Sequence, residues 1–284
     1  MDTFIEAEAM AFDWQIRVFQ KAMEHHQIDI AVIYSVYLDS VNHRYRSLLE
    51  GVEKGSPEQL AEAREIYGKA YALADTFLGR ILDLVPEETT VAVLSDHGSV
   101  GYDTTLDPWK ALEAEGLLFF RDGKVEWEKT RAYPSSTCHV YVNLKGRDTL
   151  GIVEEKDFKE TVGMVIRALQ KQFGEKLAFA LRNEEAGLVG QGGERSGDVV
   201  YGISGSRAGG IIGGVHAMQI PTARTETGDI RSLLVLSGPR FKKDILLDRC
   251  VHLYDIAPTL CHALGYPQPD QAEGAVAYQA FLPA

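Results

Sequence analysis

Five residues in three short stretches have the types and spacing of metal ligands. Asp39 and His43 stand four apart in YLDSVNH (37–43), so one helical turn or a tight loop aims both side chains at one point. Asp96 and His97 are adjacent in SDHG (95–98), where Gly98 frees the backbone for the sharp turn that both need to face one site. His216 closes GGVH (213–216), and glycines beside it permit close backbone approach. Two aspartates and three histidines are a nitrogen–oxygen donor set, which suits zinc or manganese better than magnesium. Two such metals roughly 4 Å apart can bind both the attacking and the leaving oxygen of a phosphoryl transfer. Each stretch also has a plainer reading: Asp39 with His43 as a hydrogen-bonded pair, Asp96 as a turn or helix cap, His216 as a loop histidine. Their occurrence together favours the metal reading.

The elements around them follow from patterning. The run IDIAVIYSVY (28–37) is rich in Ile and Val, has no charge after Asp29, and reads as a buried strand delivering Asp39 and His43. TVAVLSDHG (90–98) reads as a second buried strand delivering Asp96 and His97, and SLLVLSGP (232–239) as a third. Apolar spacing predicts helices over 3–25, 57–84 (Ser56 as cap, Pro57 in the first turn), 107–118 (stopped by Gly116), 155–173 and 254–265 (stopped by Gly265). This alternation predicts an α/β fold: a mostly parallel central sheet with helices on both faces, its ligand site beyond the carboxyl ends of the strands. Residues 119–145 read as a β-rich insertion turning at Asp122-Gly123. Residues 183–229 read as a long Gly-rich loop, which in a compact domain is more often functional than idle. No linker divides the chain, so residues 1–284 are expected to form a single α/β domain.

Composition narrows the function classes. Over 284 residues, 41 acidic side chains oppose 29 basic ones, a formal charge of −12, which disfavours broad capture of nucleic acid or of an anionic membrane. A local metal can still recruit one small phosphorylated molecule. Three scattered cysteines, Cys138, Cys250 and Cys261, predict free thiols in a reducing compartment. No apolar run reaches the length of a membrane span and the start lacks a signal-peptide pattern, so a cytoplasmic location is the expectation.

With these residues in place, the chain resembles the alkaline-phosphatase superfamily, and within it the type I phosphodiesterase/nucleotide pyrophosphatase branch and related bacterial phosphohydrolases and phosphomutases. The matching pieces are DSVNH (39–43), AYALADTFLGRIL (70–82), VAVLSDHG (91–98), NLKGRDTLGIV (143–153), GGVH (213–216), LLVLSGPRFK (233–242) and LYDIAPTLCHALGYPQP (253–269). They run in the family's order. SDHG after an apolar strand and DIAPT before a C-terminal helix are the specific ones.

The resemblance implies two divalent metal ions, zinc ahead of manganese. Asp39, His43 and His216 would hold one, and Asp96 with His97 half of the other. It implies a small phosphorylated, nucleotide-like substrate and hydrolysis of phosphomonoesters or phosphodiesters. In the family the remaining ligand and the Thr or Ser nucleophile follow an earlier strand. Here only Asp2 and Thr3 match by type and they follow no strand, so no catalytic nucleophile is assigned. The chain thus resembles the C-terminal portion of the catalytic domain without its N-terminal strands, and weak activity alone is expected. The exposed edge would be covered by self-association or by the missing N-terminal segment. Rival readings are a non-catalytic fragment or binding module that keeps the scaffold, and a metal-dependent phosphomutase. The sulfatase pattern CxPxR is absent, and Ala217 follows His216 where the relatives commonly carry a basic residue.

Overall fold

The computed structural model describes residues 2–101, 105–135, 138–203, 207–208 and 229–283; His216 lies outside the described residues. In chain order the elements are α1 (Asp2–His25), α2 (Tyr37–Leu49), α3 (Pro57–Leu82), β1 (Val91–Leu94), β2 (Thr105–Leu106), α4 (Pro108–Ala114), β3 (Phe120–Arg121), β4 (Lys124–Val125), β5 (Ala132–Ser135) and β6 (His139–Val142). There follow α5 (Phe158–Phe173), β7 (Leu177–Arg182), β8 (Val199–Ile203), β9 (Arg207–Ala208), β10 (Leu234–Ser237) and α6 (Ile256–Leu264). The chain divides into two compact units: Met1–Asn42, Ala61–Gly98 and Arg231–Ala284 in the first, His43–Leu60 and Ser99–Ile230 in the second.

In the first unit α1 buries Phe12 and Ile16. The Phe12 ring lies flat on Phe77 of α3, centroids 4.1 Å apart, and edge-on to Tyr37 at 5.5 Å. Asp13 pairs with Arg17 on its own helix and with Arg80 on α3. β1 and β10 form a two-stranded antiparallel sheet, Val91 opposite Ser237 through Leu94 opposite Leu234. At the C-terminal end the DIAPT motif secures the tail. Asp255 accepts the backbone N–H groups of His252 and Ala275, and the Thr259 hydroxyl accepts that of Ala277. The tail passes so close that a Cβ on Gly274 would fall 2.0 Å from the Tyr254 carbonyl oxygen, so only glycine fits there.

Two expectations change in this unit. Residues 28–36 form no strand, and Ile30, Val32, Tyr34 and Val36 are exposed, Val32 at 88% and Tyr34 at 70%, while Ile28 and Ile33 are partly buried. A buried central strand needs neighbours on both edges and cover on both faces. The described residues of this unit offer only β1 and β10, which pair with each other. For the same reason β1 and β10 are only partly covered, with Leu94 and Val235 exposed. The fold class is therefore mixed α/β. A mostly parallel central sheet is not seen among the described residues, where every named strand pair is antiparallel except the short β2–β9 pair.

The second unit holds the larger core. Its sheet runs β5-β6-β8-β7, antiparallel throughout. α5 presents Val162, Val165, Leu169 and Phe173, an i, i+3, i+7, i+11 face, and packs with Leu112, Val140, Val142, Val199, Tyr201 and Ile203. The helix read over 107–118 is shorter, Pro108–Ala114, and Asp107, not read as a cap, accepts the N–H groups of Trp109 and Lys110; Asp122-Gly123, both at positive φ, turn the β3–β4 hairpin as expected. Inside the segment read as loop lies β8, buried at all five positions. A short strand covered on both faces carries no alternation to reveal it.

The motif NLKGRDTLGIV builds the rim of this sheet. Asn143, buried, donates from Nδ2 to the carbonyl oxygens of Trp127, Thr130 and Leu150. Arg147 forks onto Asp198, both contacts 2.8 Å, and Asp198 also accepts the Val142 N–H. The Tyr133 hydroxyl donates to Asp148 at 2.8 Å. Burial first, then that carboxylate, pushes the Tyr133 phenol well above its ordinary value near 10; burial does the same to Tyr201 in β8. The consequence has a definite sign. Unfolded, these phenols ionise from about pH 10; folded, they keep their protons, so stability is intact below that pH and falls as pH rises above it. Urea midpoints at about pH 9 and about pH 11 should show this loss, and Tyr133→Phe should shrink it.

Candidate functional site

Asp39 and His43 both lie on α2, one turn apart. The helix begins where Ser35 Oγ accepts the Tyr37 N–H, and Tyr37 itself is fully buried, its ring 5.6 Å from Phe4. Asp39 sits in the first turn, where the helix dipole favours a carboxylate. Asp39 and His43 are half-buried, and His43 Nε2 is shielded from solvent. The Tyr67 hydroxyl donates to Asn42 Oδ1 at 2.6 Å, tying α2 to α3.

Asp96 and His97 occupy a tight turn just past β1. The Ser95 N–H donates to Leu233 O, and Ser95 Oγ donates to His97 O at 2.6 Å. Asp96 Oδ1 accepts the His97 N–H at 3.0 Å, and Oδ2 lies 3.7 Å from His97 Nε2. The imidazole is oriented by its other nitrogen: Nδ1 lies 2.9 Å from Gly98 O. A carbonyl only accepts, so Nδ1 carries a proton, and Nε2 is the ring nitrogen that faces the Asp96 carboxylate. A backbone carbonyl holding the far nitrogen is the usual support of a metal-ligating histidine. The Asp96 side chain is 69% exposed and that of His97 34%.

The structure brings residues together pairwise. Among the described residues no three His, Cys, Asp or Glu side chains assemble into a metal-holding group, so Asp39 does not join the Asp96–His97 pair. Residues 28–36 form no ladder with β1 among the described residues, the pairing that was expected to set the start of α2 beside the end of β1. Sequence reasoning missed the Arg147–Asp198–Asp148–Tyr133 network. The adjacent Arg147-Asp148 in NLKGRDT was its visible signal, but Asp198 lies 51 residues from Arg147.

A family model for type I phosphodiesterase/nucleotide pyrophosphatase matches residues 4–206, more than half of the chain. The chain belongs to this family. It is thereby a member of the alkaline-phosphatase superfamily, and the match spans Asp39, His43, Asp96 and His97 while ending before His216. No curated protein and no solved structure matches the chain. Membership in the phosphodiesterase family points to a hydrolase performing phosphodiesterase- or pyrophosphatase-type phosphoryl transfer on small phosphorylated or nucleotide substrates. No helix among the described residues is long and apolar enough to cross a membrane.

Proposed function

We propose that this phosphodiesterase-family chain carries the metal-binding side of a phosphoester- or phosphodiester-hydrolysing centre. Asp39, His43 and His216 would hold one divalent ion, and Asp96 with His97 would contribute to a second, with zinc ahead of manganese. The observation that carries the reading is the His97 ring, oriented by Gly98 O so that Nε2 faces the Asp96 carboxylate. Bound there, such ions would neutralise phosphate charge and activate an attacking oxygen. The chain's own contribution is orientation: the turn after β1 fixes His97, and α2 sets Asp39 and His43 on one side of a single helix. A mostly parallel sheet that includes residues 28–36, within a single α/β domain, is the architecture we propose for the complete centre.

No Thr or Ser in the sequence follows the family's strand–Asp–nucleophile pattern, so we expect slow turnover from this chain alone. The three free cysteines suit the cytoplasmic setting we propose. The phosphomutase reading uses the same ligands and differs only in where the phosphoryl group goes. Plasma emission analysis of chain dialysed against zinc should find bound metal, and a nitrophenyl phosphodiester should be cleaved weakly if at all. Metal-free protein after zinc and manganese have both been supplied at neutral pH sinks the site.

A further inference from the structure

The second unit buries a carboxylate that the proposed chemistry leaves unused. Glu50 stands one residue past the end of α2, and its side chain is 2% exposed. Groups from two parts of the chain meet it. Oε1 accepts Arg46 Nε from the last turn of α2, and Oε2 accepts the Gly101 N–H at 2.8 Å, across 51 residues. Gly101 is itself buried against Glu50 and Val52. A Cβ there would fall 2.7 Å from Glu50 Oε2 and 3.0 Å from Val52 Cγ2.

Taking a carboxylate out of water is costly, and a charged partner with further hydrogen bonds offsets the cost. Arg46 pairs with Glu50 at i, i+4, which supports one helix end and nothing beyond it. The bond to Gly101 adds a tie between distant segments, and a backbone N–H on a carboxylate is among the stronger hydrogen bonds. The segments it joins give the tie its role. α2 carries Asp39 and His43, and Glu50 follows its last turn, seven residues past His43. Gly101 stands four residues past His97. The chain between them is fastened at Ser99, whose N–H donates to Asp229 O, and at Val100, 8% exposed. A helix on one side and a short, fastened run on the other transmit position with little slack.

We propose that Glu50 is a positioning residue. By fastening the chain that leaves the Asp96–His97 turn to the end of α2, it keeps the two donor pairs in one register before an ion arrives. The inference rests on the reading of those four residues as metal donors.

The test begins with metal-free protein. Two variants break the tie from opposite sides: Glu50→Ala removes the acceptor, and Gly101→Ala displaces it while leaving the Arg46 pair in place, so it serves if Glu50→Ala does not fold. In either, hydrogen exchange at Gly101 should quicken at least about tenfold. The imidazole ¹⁵N signals of His43 and His97 should both move, with helix content by circular dichroism unchanged. Glu50→Gln keeps an oxygen for the Gly101 N–H and should hold both signals near their parent positions. Zinc titration should then show affinity about 10- to 100-fold weaker in the alanine variants, the cost of losing a supporting partner, with recovery in Glu50→Gln. A purely structural role would lower the melting temperature and leave the imidazoles and the zinc affinity unmoved, and that result overturns the proposal. A parent that binds no zinc defeats the metal reading instead. The imidazole signals then decide the tie by themselves, and it falls if they stay in place.

Discussion

Asp198→Ala should destabilise the second unit by about 3 kcal/mol, the low end of the range for breaking a buried ion pair. The carboxylate has three tasks. Its Oδ2 accepts the Val142 N–H at 2.7 Å and Arg147 Nη2 at 2.8 Å, and its Oδ1 accepts Arg147 Nη1 at 2.8 Å. Its side chain is 8% exposed, while that of Arg147 is 39% exposed. Truncation therefore strands a buried N–H, at roughly 1–3 kcal/mol. It also removes the guanidinium's fixed partner, a loss softened because Arg147 can turn toward water. The same guanidinium lies over the Tyr141 ring and donates to Asp148, so its loosening spreads to the hydroxyl held by Asp148 in β5. In thermal unfolding the loss corresponds to a drop of roughly 6–12 °C in Tm. Asp198→Asn keeps an acceptor for Val142 and should cost about half as much. An Asp198→Ala protein melting within about a degree of the parent would show that the network contributes nothing net.

The second large effect is expected at His97. Replacing it with Ala should reduce zinc affinity by on the order of a hundredfold or more, read by calorimetric titration, since loss of a ligand exceeds the 10–100-fold cost of losing a supporting partner. The fold should be untouched. His97 is 34% exposed in its side chain, and the turn's backbone bonds, Ser95 N–H to Leu233 O and the His97 N–H to Asp96, do not involve the imidazole. Equal zinc affinity in parent and His97→Ala would remove this turn from the metal site. Loss of affinity together with lost thermal stability would assign the ring to structure instead.

Local signals in the sequence translated well. Ser56 and Gln59 form a reciprocal capping box at the start of α3, Ser56 N–H to Gln59 Oε1 and Gln59 N–H to Ser56 Oγ. Gly265, in the left-handed region, closes α6 as expected. Each rests on atoms within a few residues of one another. Residues 28–36 and β8 show where that reach ends. Both are short apolar runs, and whether such a run is buried depends on partners far along the chain: β8 finds β6 and β7, while 28–36 finds none among the described residues. The site divides in the same way. The Asp96–His97 turn was legible because Gly98 and the pair are contiguous, whereas bringing α2 beside that turn requires a strand pairing that no local pattern encodes.

Tyr37 joins α1 to the helix that holds Asp39. It is wholly buried between Phe4 and Phe12 and stands two residues before that aspartate. The direction in which Asp39 points is thus set by aromatic packing rather than by its own neighbours on the helix. Under the proposed role of Asp39, inherited variation at Phe4 or Phe12 would misalign a donor without removing it, and a catalogue of intact ligands would not reveal it.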